Sequence, residues 1–379
     1  MRISGILIPE QDRLRAVLRD IAAGRGGAAI YLLLALLVAG IYGVGAIFVR
    51  GHGATTNTGS LVPWGLQIAT YLYFALISAG CTFVNFFGER FYHDEYAPFA
   101  PRIVFAGLVT AAAGFLSLAS EMGHLERMFY FMISPNPASP MFWMSVWYTL
   151  YLAMKLVEFY TIQSGRHSEL VSWGTFVVAV VTYCTLGSLL GTVSSRPYYH
   201  SALLPVHFLF LGTLSGAALA LLLAALKKGS GLRPFVHFCR IGLALVLISS
   251  SVRLLTGLAD SMAGGAVFRA NFANDFFFGI LAAIVLPLIV LWRSDRRGWL
   301  AATALYVLAA QIKVRSDLVS GAFRIPVFRA YDQPALVGYV PSGHELLVLV
   351  ASIALTAVVY LVCDRSGLFA DLPATGRER

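Results

Sequence analysis

Charge is what this chain most lacks. Asp, Glu, Lys and Arg make up 12% of its 379 residues, against about 25% in an ordinary soluble domain. Cysteine is scarce too. Cys81, Cys184, Cys239 and Cys363 lie far apart and no C-x-x-C occurs, so the chain holds neither an iron–sulphur cluster nor a structural zinc of its own. It has eight histidines, but no pair suits a membrane haem. His207 sits near one end of its apolar block and His237 near the opposite end of the next, so their depths do not match. The basic start (Arg13, Arg15, Arg19, Arg25) looks like that of a signal peptide. The apolar block behind it runs from Ala28 to Val49, long for such a segment and without a small-residue cleavage site. It reads as a retained first helix.

Apolar residues are abundant, at 58%. They come in blocks of about 20, the length that crosses a hydrocarbon core of roughly 30 Å. The expected fold is an all-α polytopic membrane protein of about ten transmembrane helices: two four-helix bundles plus flanking helices. The spans fall near 28–49, 64–87, 102–121, 141–163, 170–194, 202–226, 236–257, 275–292, 298–315 and 344–363. Segment 1–27 precedes the membrane domain of 28–363, and 364–379 forms a tail. Most loop Lys and Arg gather on one side: the N-terminal arginines, Arg90, Arg102, Arg166, Lys227, Lys228, Arg233, Arg293, Arg296, Arg297, Arg365, Arg377 and Arg379. The other side has Arg50, Arg127, Arg196, Arg269, Lys313, Arg315, Arg324 and Arg329. The richer side is cytoplasmic by this rule, so both termini lie inside. The formal charge of +9 then reflects basic loops facing anionic lipid rather than nucleic acid. Joints 50–63, 122–140, 258–274 and 316–343 lie outside, long enough to form a platform for a partner.

Polar groups inside a bilayer are costly, so each needs a partner or a job. Tyr148, Tyr151, Lys155 and Glu158 on the fourth span are spaced three, four and three apart, on one helix face. Lys155 and Glu158 either neutralise each other as an ion pair that orients helices or carry protons. Trp64, Gln67, Tyr71, Ser78 and Asn85 make a similar stripe on the second span. An aromatic, an amide and a phenol suit a quinone head group, whose carbonyls need donors and whose ring needs a flat wall. Trp64 and Tyr71 equally suit an interfacial belt. Glu121 and His124 lie three apart at the outer end of the third span. Arg196, Tyr198, Tyr199 and His200 crowd the joint after the fifth. Arg253 on the seventh span requires a counter-charge, for which Asp260, Asp275 and Glu158 are the candidates.

The order of short motifs resembles the NrfD-like family, the polysulphide-reductase membrane subunits, in its ten-helix branch that includes a hydrogenase membrane subunit. Pro63-Trp64-Gly65 with Tyr71 and the small-residue run Ala75 to Gly80 resembles the family's second helix. Ser139 to Phe159, ending Leu156-Val157-Glu158-Phe159, resembles its fourth. Leu186-Gly187-Ser188-Leu189 and Leu204-Pro205 resemble its fifth and sixth. Arg253 with Asp260, Asp275 with Gly279 and Pro287, and Tyr339-Val340-Pro341-Ser342 with Glu345 continue the match. Two places differ: Thr182 and Tyr183 stand where several relatives have a His, and Tyr71 where some have Asp.

The resemblance implies a subunit that exchanges electrons between menaquinone or ubiquinone and an extracytoplasmic iron–sulphur (ferredoxin-like) partner, which is wired to a further catalytic or cytochrome subunit. The expected quinone site comprises Trp64, Gln67, Tyr71, Glu121, His124 and Tyr148. The expected proton pathway comprises Tyr151, Lys155, Glu158, Arg253, Asp260 and Asp275. The expected location is a bacterial cytoplasmic membrane. Two other classes stay open: a proton-coupled secondary transporter, although no Gly/Pro-broken helix pair recurs in the two halves, and a passive membrane anchor of a redox complex.

Overall fold

A computed structural model describes residues 2–3, 6–7, 11–166, 168–227, 231–260, 263–327 and 334–369. Lys228, Arg329, Arg377 and Arg379, counted in the charge balance above, lie outside the described residues, as does the tail beyond 369.

An N-terminal helix, Gln11–Ala22, precedes the long ones. These are α1 (Ala28–Arg50), α2 (Leu66–Phe91), α3 (Ala100–Glu121), α4 (Pro140–Gln163) and α5 (Glu169–Gly191). Then follow α6 (Leu204–Leu226), α7 (Arg233–Ala259), α8, α9 (Arg297–Gly321) and α10 (Gly343–Arg365). Helix α8 is a composite: an α-helical start Ala263–Ala273, a π-helical middle Asn274–Val285 and an α-helical end Leu286–Arg293. Prolines open α3, α4, α6 and α7, where a missing N–H costs nothing and a fixed φ favours the first turn. A helix also satisfies its own backbone, which lipid cannot do.

Eight of these helices are long and apolar enough to cross a membrane. The other two, α4 and α9, are 24 and 25 residues long and carry more polar residues. Those residues point inward: Tyr148, Tyr151, Lys155 and Glu158 on α4 and Gln311 and Arg315 on α9 are buried. Lipid-facing hydropathy therefore understates both helices, because their polar groups bond to neighbouring helices instead.

Helices α2 to α5 pack as one bundle and α6 to α9 as a second, with α1 and α10 paired along the flank of α2 and α3. Helix α2 lies at the centre, touching α3, α5, α6, α9 and α10, and nearly all of it is buried. Small residues let the bundles meet. A Cβ on Gly80 would strike the backbone of Gly212 and Gly216, and one on Gly216 the backbone of Gly80 and Cys81. This is the close approach that small residues permit between membrane helices.

Contacts between joints define two ends. At one, His52 Nε2 meets Ser120 O at 3.1 Å, Asn57 Nδ2 donates to Val340 O at 2.9 Å, and Trp64 packs on Tyr199 and Phe323. Here lie the long joints 51–65 and 122–139 and the described parts, 322–327 and 334–342, of a third. At the other, short-joint end, Arg365 donates to Gly26 O, Arg102 pairs with Asp364 and Arg90 with Glu169. One expected joint is corrected. Most of 258–274 is helix, because α8 begins at Ala263. Helix α9 likewise runs past Arg315 to Gly321, supported by the Lys313–Asp317 pair one turn apart.

Candidate functional site

The start of α2 is held by the chain's last helix. Tyr339 Oη accepts from Leu66 N at 2.7 Å and donates to Glu345 Oε1 at 2.5 Å. Glu345 Oε2 accepts from Ser342 N at 2.7 Å and Asn57 N at 3.1 Å. Ser342 and Glu345 form a capping box on α10. Glu345 is wholly buried, and burial with that carboxylate alongside pushes the Tyr339 phenol above its ordinary value. Gly65 is required here. A Cβ would lie 2.5 Å from Tyr339 Oη and 2.6 Å from Glu345 Oε1.

One residue into α2, Gln67 is completely buried. Its backbone carbonyl accepts from Ser117 Oγ at 2.8 Å, yet both atoms of its side-chain amide lack a partner among the described residues. The Thr70 hydroxyl is also buried and unpartnered among the described residues, while those of Tyr148 and Tyr183 interact with each other. Rings surround this polar interior: Tyr71 and Tyr148 lie 6.5 Å apart, Tyr148 and Tyr183 6.4 Å, and Phe115 stands edge-on to Tyr148 at 5.0 Å. Buried polar groups are nearly always hydrogen-bonded, so the Gln67 amide and the Thr70 hydroxyl are candidates to bond a ligand or water.

Below the tyrosines polar side chains follow one another closely, with one wider step at the Lys155–Glu158 ion pair. Tyr151 Oη lies 2.9 Å from Ser78 Oγ and 3.0 Å from Thr82 Oγ1. Lys155 Nζ donates to Thr82 Oγ1 at 2.7 Å and stands 4.0 Å from Glu158 Oε2. Gly107 makes space for the lysine stem, since a Cβ there would sit 2.7 Å from Lys155 Cε. Asn85 Nδ2 then bridges Glu158 Oε1 at 3.2 Å and Glu89 Oε1 at 3.3 Å, while Tyr96 donates to Asn85 Oδ1 at 3.1 Å. At the short-joint end Arg90 donates to Glu169 at 2.7 Å and to Ser172 at 3.2 Å. Polar side chains thus line α2 and α4 from Tyr151 to that end.

The structure gathers some of the expected residues and separates others. Gln67, Tyr71, Tyr148, Tyr151, Lys155 and Glu158 share the interior of the first bundle. Trp64 turns elsewhere. It precedes α2 and packs at 6.2 Å from Tyr199 and 5.8 Å from Phe323, in the seam between bundles. Glu121 ends α3 with its Oε2 buried and unpartnered. His124 is exposed and bonded to Glu126 at 2.8 Å. In the second bundle Arg253 donates to Tyr198 O at 2.9 Å and lies 4.2 Å over the Tyr198 ring, whose hydroxyl donates to Asp275 Oδ1 at 2.7 Å. Asp260 is exposed at the end of α7.

Sequence reasoning passed over Thr82, Glu89, Gln311 and the structural role of Tyr339, and noted Tyr183 only as standing where several relatives have a His. Thr82 stands one turn after Ser78 and Gln311 one turn before Arg315, so helical spacing was the available signal. Nothing in the pattern of α5 singles out Tyr183.

These helices and this buried polar line describe a membrane-embedded helical protein with a polar interior. Residues 54–323 match the family described as Polysulphide reductase, NrfD, and the chain belongs to that family. It is a multi-pass membrane protein. The chain is similar to a selenate reductase subunit of Mesobacillus selenatarsenatis, at 24% identity over 85% of this chain and 89% of that protein. It is also similar to the Hdr-like menaquinol oxidoreductase integral membrane subunit of Archaeoglobus fulgidus, at 28% identity over 92% of this chain and 95% of that one.

Proposed function

We propose that the chain is the membrane subunit of a respiratory redox complex and exchanges electrons between a membrane quinone and an iron–sulphur subunit docked on its long-joint face. The observation that carries this reading is the Gln67 side chain, wholly buried near that face with neither amide atom bonded. Leaving such a group unsatisfied costs about 1–3 kcal/mol. A quinone carbonyl accepts from Nε2 and a quinol hydroxyl donates to Oε1, so one residue serves both redox forms. Tyr71, Tyr148 and Phe115 supply flat apolar walls. Glu121, at the rim, is the candidate for proton exchange with the long-joint side. The integral membrane subunit of a menaquinol oxidoreductase among its relatives favours menaquinone.

Reduction of a quinone takes two electrons and two protons, and oxidation of the quinol returns them. The electrons pass to or from the docked partner. Protons travel through Tyr151, Lys155 and Glu158, with Asn85 and Glu89 completing the route to the short-joint end. Arg253 and Asp275 form a separate polar group in the second bundle. The short-joint end faces the cytoplasm of a bacterium, and the partner sits outside. Exposed Phe129, Met132 and Ile133 in joint 122–139 offer it an apolar contact.

The test is reconstitution of the purified complex in liposomes. Gln67→Leu should lower photolabelling by a quinone analogue and turnover at least about tenfold, the worth of one or two lost hydrogen bonds. Glu158→Gln should leave labelling intact while proton uptake from the short-joint side falls. Unchanged labelling and turnover in Gln67→Leu would reject the quinone site. A purified chain that brings down no iron–sulphur protein would reject the electron-transfer role.

A further inference from the structure

The second bundle encloses its own polar interior, apart from the line on α2 and α4. Between α6, α7, α8 and α9 lies a cavity of about 50 Å³ whose walls include Arg253, Asp275, Gln311, Arg315 and Asp317. Arg315 is fully buried. Its guanidinium donates to Ser215 Oγ at 2.8 Å, to Leu211 O at 3.2 Å and to the side-chain carbonyl of Gln311. No carboxylate pairs with it among the described residues. Asp317 is taken by Lys313 on the same helix, and Asp275 by the Tyr198 hydroxyl, which belongs to the ring under Arg253.

Three donors in this wall, Arg253 Nε, Arg315 Nε and Gln311 Nε2, have no partner among the described residues, against one such acceptor, Asp275 Oδ2. Two of the donors, Arg315 Nε and Gln311 Nε2, are the more deeply buried, both on residues with no exposed surface. Because the Gln311 carbonyl is committed to Arg315, its NH2 is the end left over. Idle donors require an acceptor and repel a cation. The charges agree. Asp317 is already paired with Lys313, and Arg253, Arg315 and the neighbouring Arg324 remain against Asp275, which leaves the group net positive. Water would satisfy the donors but not that charge, and a buried cation without a counter-charge is strongly unfavourable. The space rules out a quinone ring, since pockets for organic ligands run to about 300–1,000 Å³. It does accommodate an ion of one to three heavy atoms.

We propose that this cavity binds one small monovalent anion, such as chloride, held by Arg315 Nε and Gln311 Nε2. The site goes beyond the quinone reading and does not depend on it. The bound anion offsets the positive charge of the second bundle much as Glu158 offsets that of Lys155 in the first.

The test uses the full chain in its purified complex, with chloride as the probe and gluconate, too large for the cavity, as the control at equal ionic strength. Chloride should raise the thermal unfolding midpoint saturably, and radioactive chloride should bind at one equivalent per chain. Gln311→Met removes one donor and keeps the charge, so half-saturation should move to about tenfold higher chloride. Arg315→Met should abolish the response. Equal midpoints for the wild-type protein in chloride and gluconate, or a Gln311→Met chain that binds chloride as tightly as wild type, would overturn the proposal. Quinone labelling in the same samples stands or falls separately.

Discussion

The two bundles solve one problem differently. Each buries a cation completely: Lys155 in the first, Arg315 in the second. Lys155 has a carboxylate one turn away, Glu158 at 4.0 Å, and a hydroxyl from a neighbouring helix at 2.7 Å. Its charge is answered from within the chain. Arg315 has hydroxyl, carbonyl and amide partners but no paired carboxylate among the described residues, and it borders a cavity. A charge answered internally recruits nothing. A charge left over invites an occupant. Similar packing thus gives one bundle a line of polar side chains and the other a chamber.

The comparison breaks most sharply where the bundles meet. Gly216→Leu should be the most damaging change, because a side chain there would enter the backbone of Gly80 and Cys81. We expect a loss of about 3 kcal/mol or more from overpacking that rotamer changes cannot relieve, measured as a drop in thermal midpoint and in yield of monodisperse protein. The pair of buried cations sharpens the contrast. Lys155→Met strands Glu158 and should cost about 3–5 kcal/mol, and Lys155→Met with Glu158→Gln should recover most of it. Arg315→Met in gluconate strands no paired carboxylate, and the loss of its hydrogen bonds, partly offset by removal of an unanswered charge, should cost at most about 1–2 kcal/mol. Equal losses for the two single variants would erase the distinction between the bundles.

The smallest expected effect lies at the entrance to the first bundle. Tyr339→Phe removes the bridge between Leu66 N and Glu345. About 1–2 kcal/mol should be lost, and the Leu66 amide should exchange faster with deuterated water. Glu345 keeps Ser342 and Asn57 as partners, which limits the damage.

Hydropathy made the order and approximate length of the apolar helices legible, because lipid imposes a fixed length on each. It failed where polar residues turn inward. Lys313 and Arg315 read as the end of α9, yet the helix continues to Gly321 because Arg315 finds its partners on α6. The stripe on α4 was legible because that helix presents one face to the bundle and the other outward: Leu156 and Val157 are exposed while Lys155 and Glu158 are buried. The stripe on α2 was less informative. That helix is enclosed on nearly every side, so spacing cannot say which neighbour a given residue meets. Gln67, Ser78 and Asn85 face the first bundle while Trp64, placed before the helix begins, packs toward the second. His124 and Glu121 lie three apart in sequence, but α3 stops at Glu121 and helical spacing no longer applies beyond it.

The π-helical middle of α8 has a consequence for length. Each turn there closes on the fifth residue instead of the fourth, so the segment carries surplus chain relative to an α-helix of the same rise. Residues in an α-helix follow one another by about 100°. In a plain α-helix, deleting one residue between Asp275 and Pro287 would swing one about a quarter-turn relative to the other. Here the wide turns of Asn274–Val285 hold that residue as slack, so a deletion can be absorbed by closing turns to α-helical ones while both ends of α8 keep their neighbours.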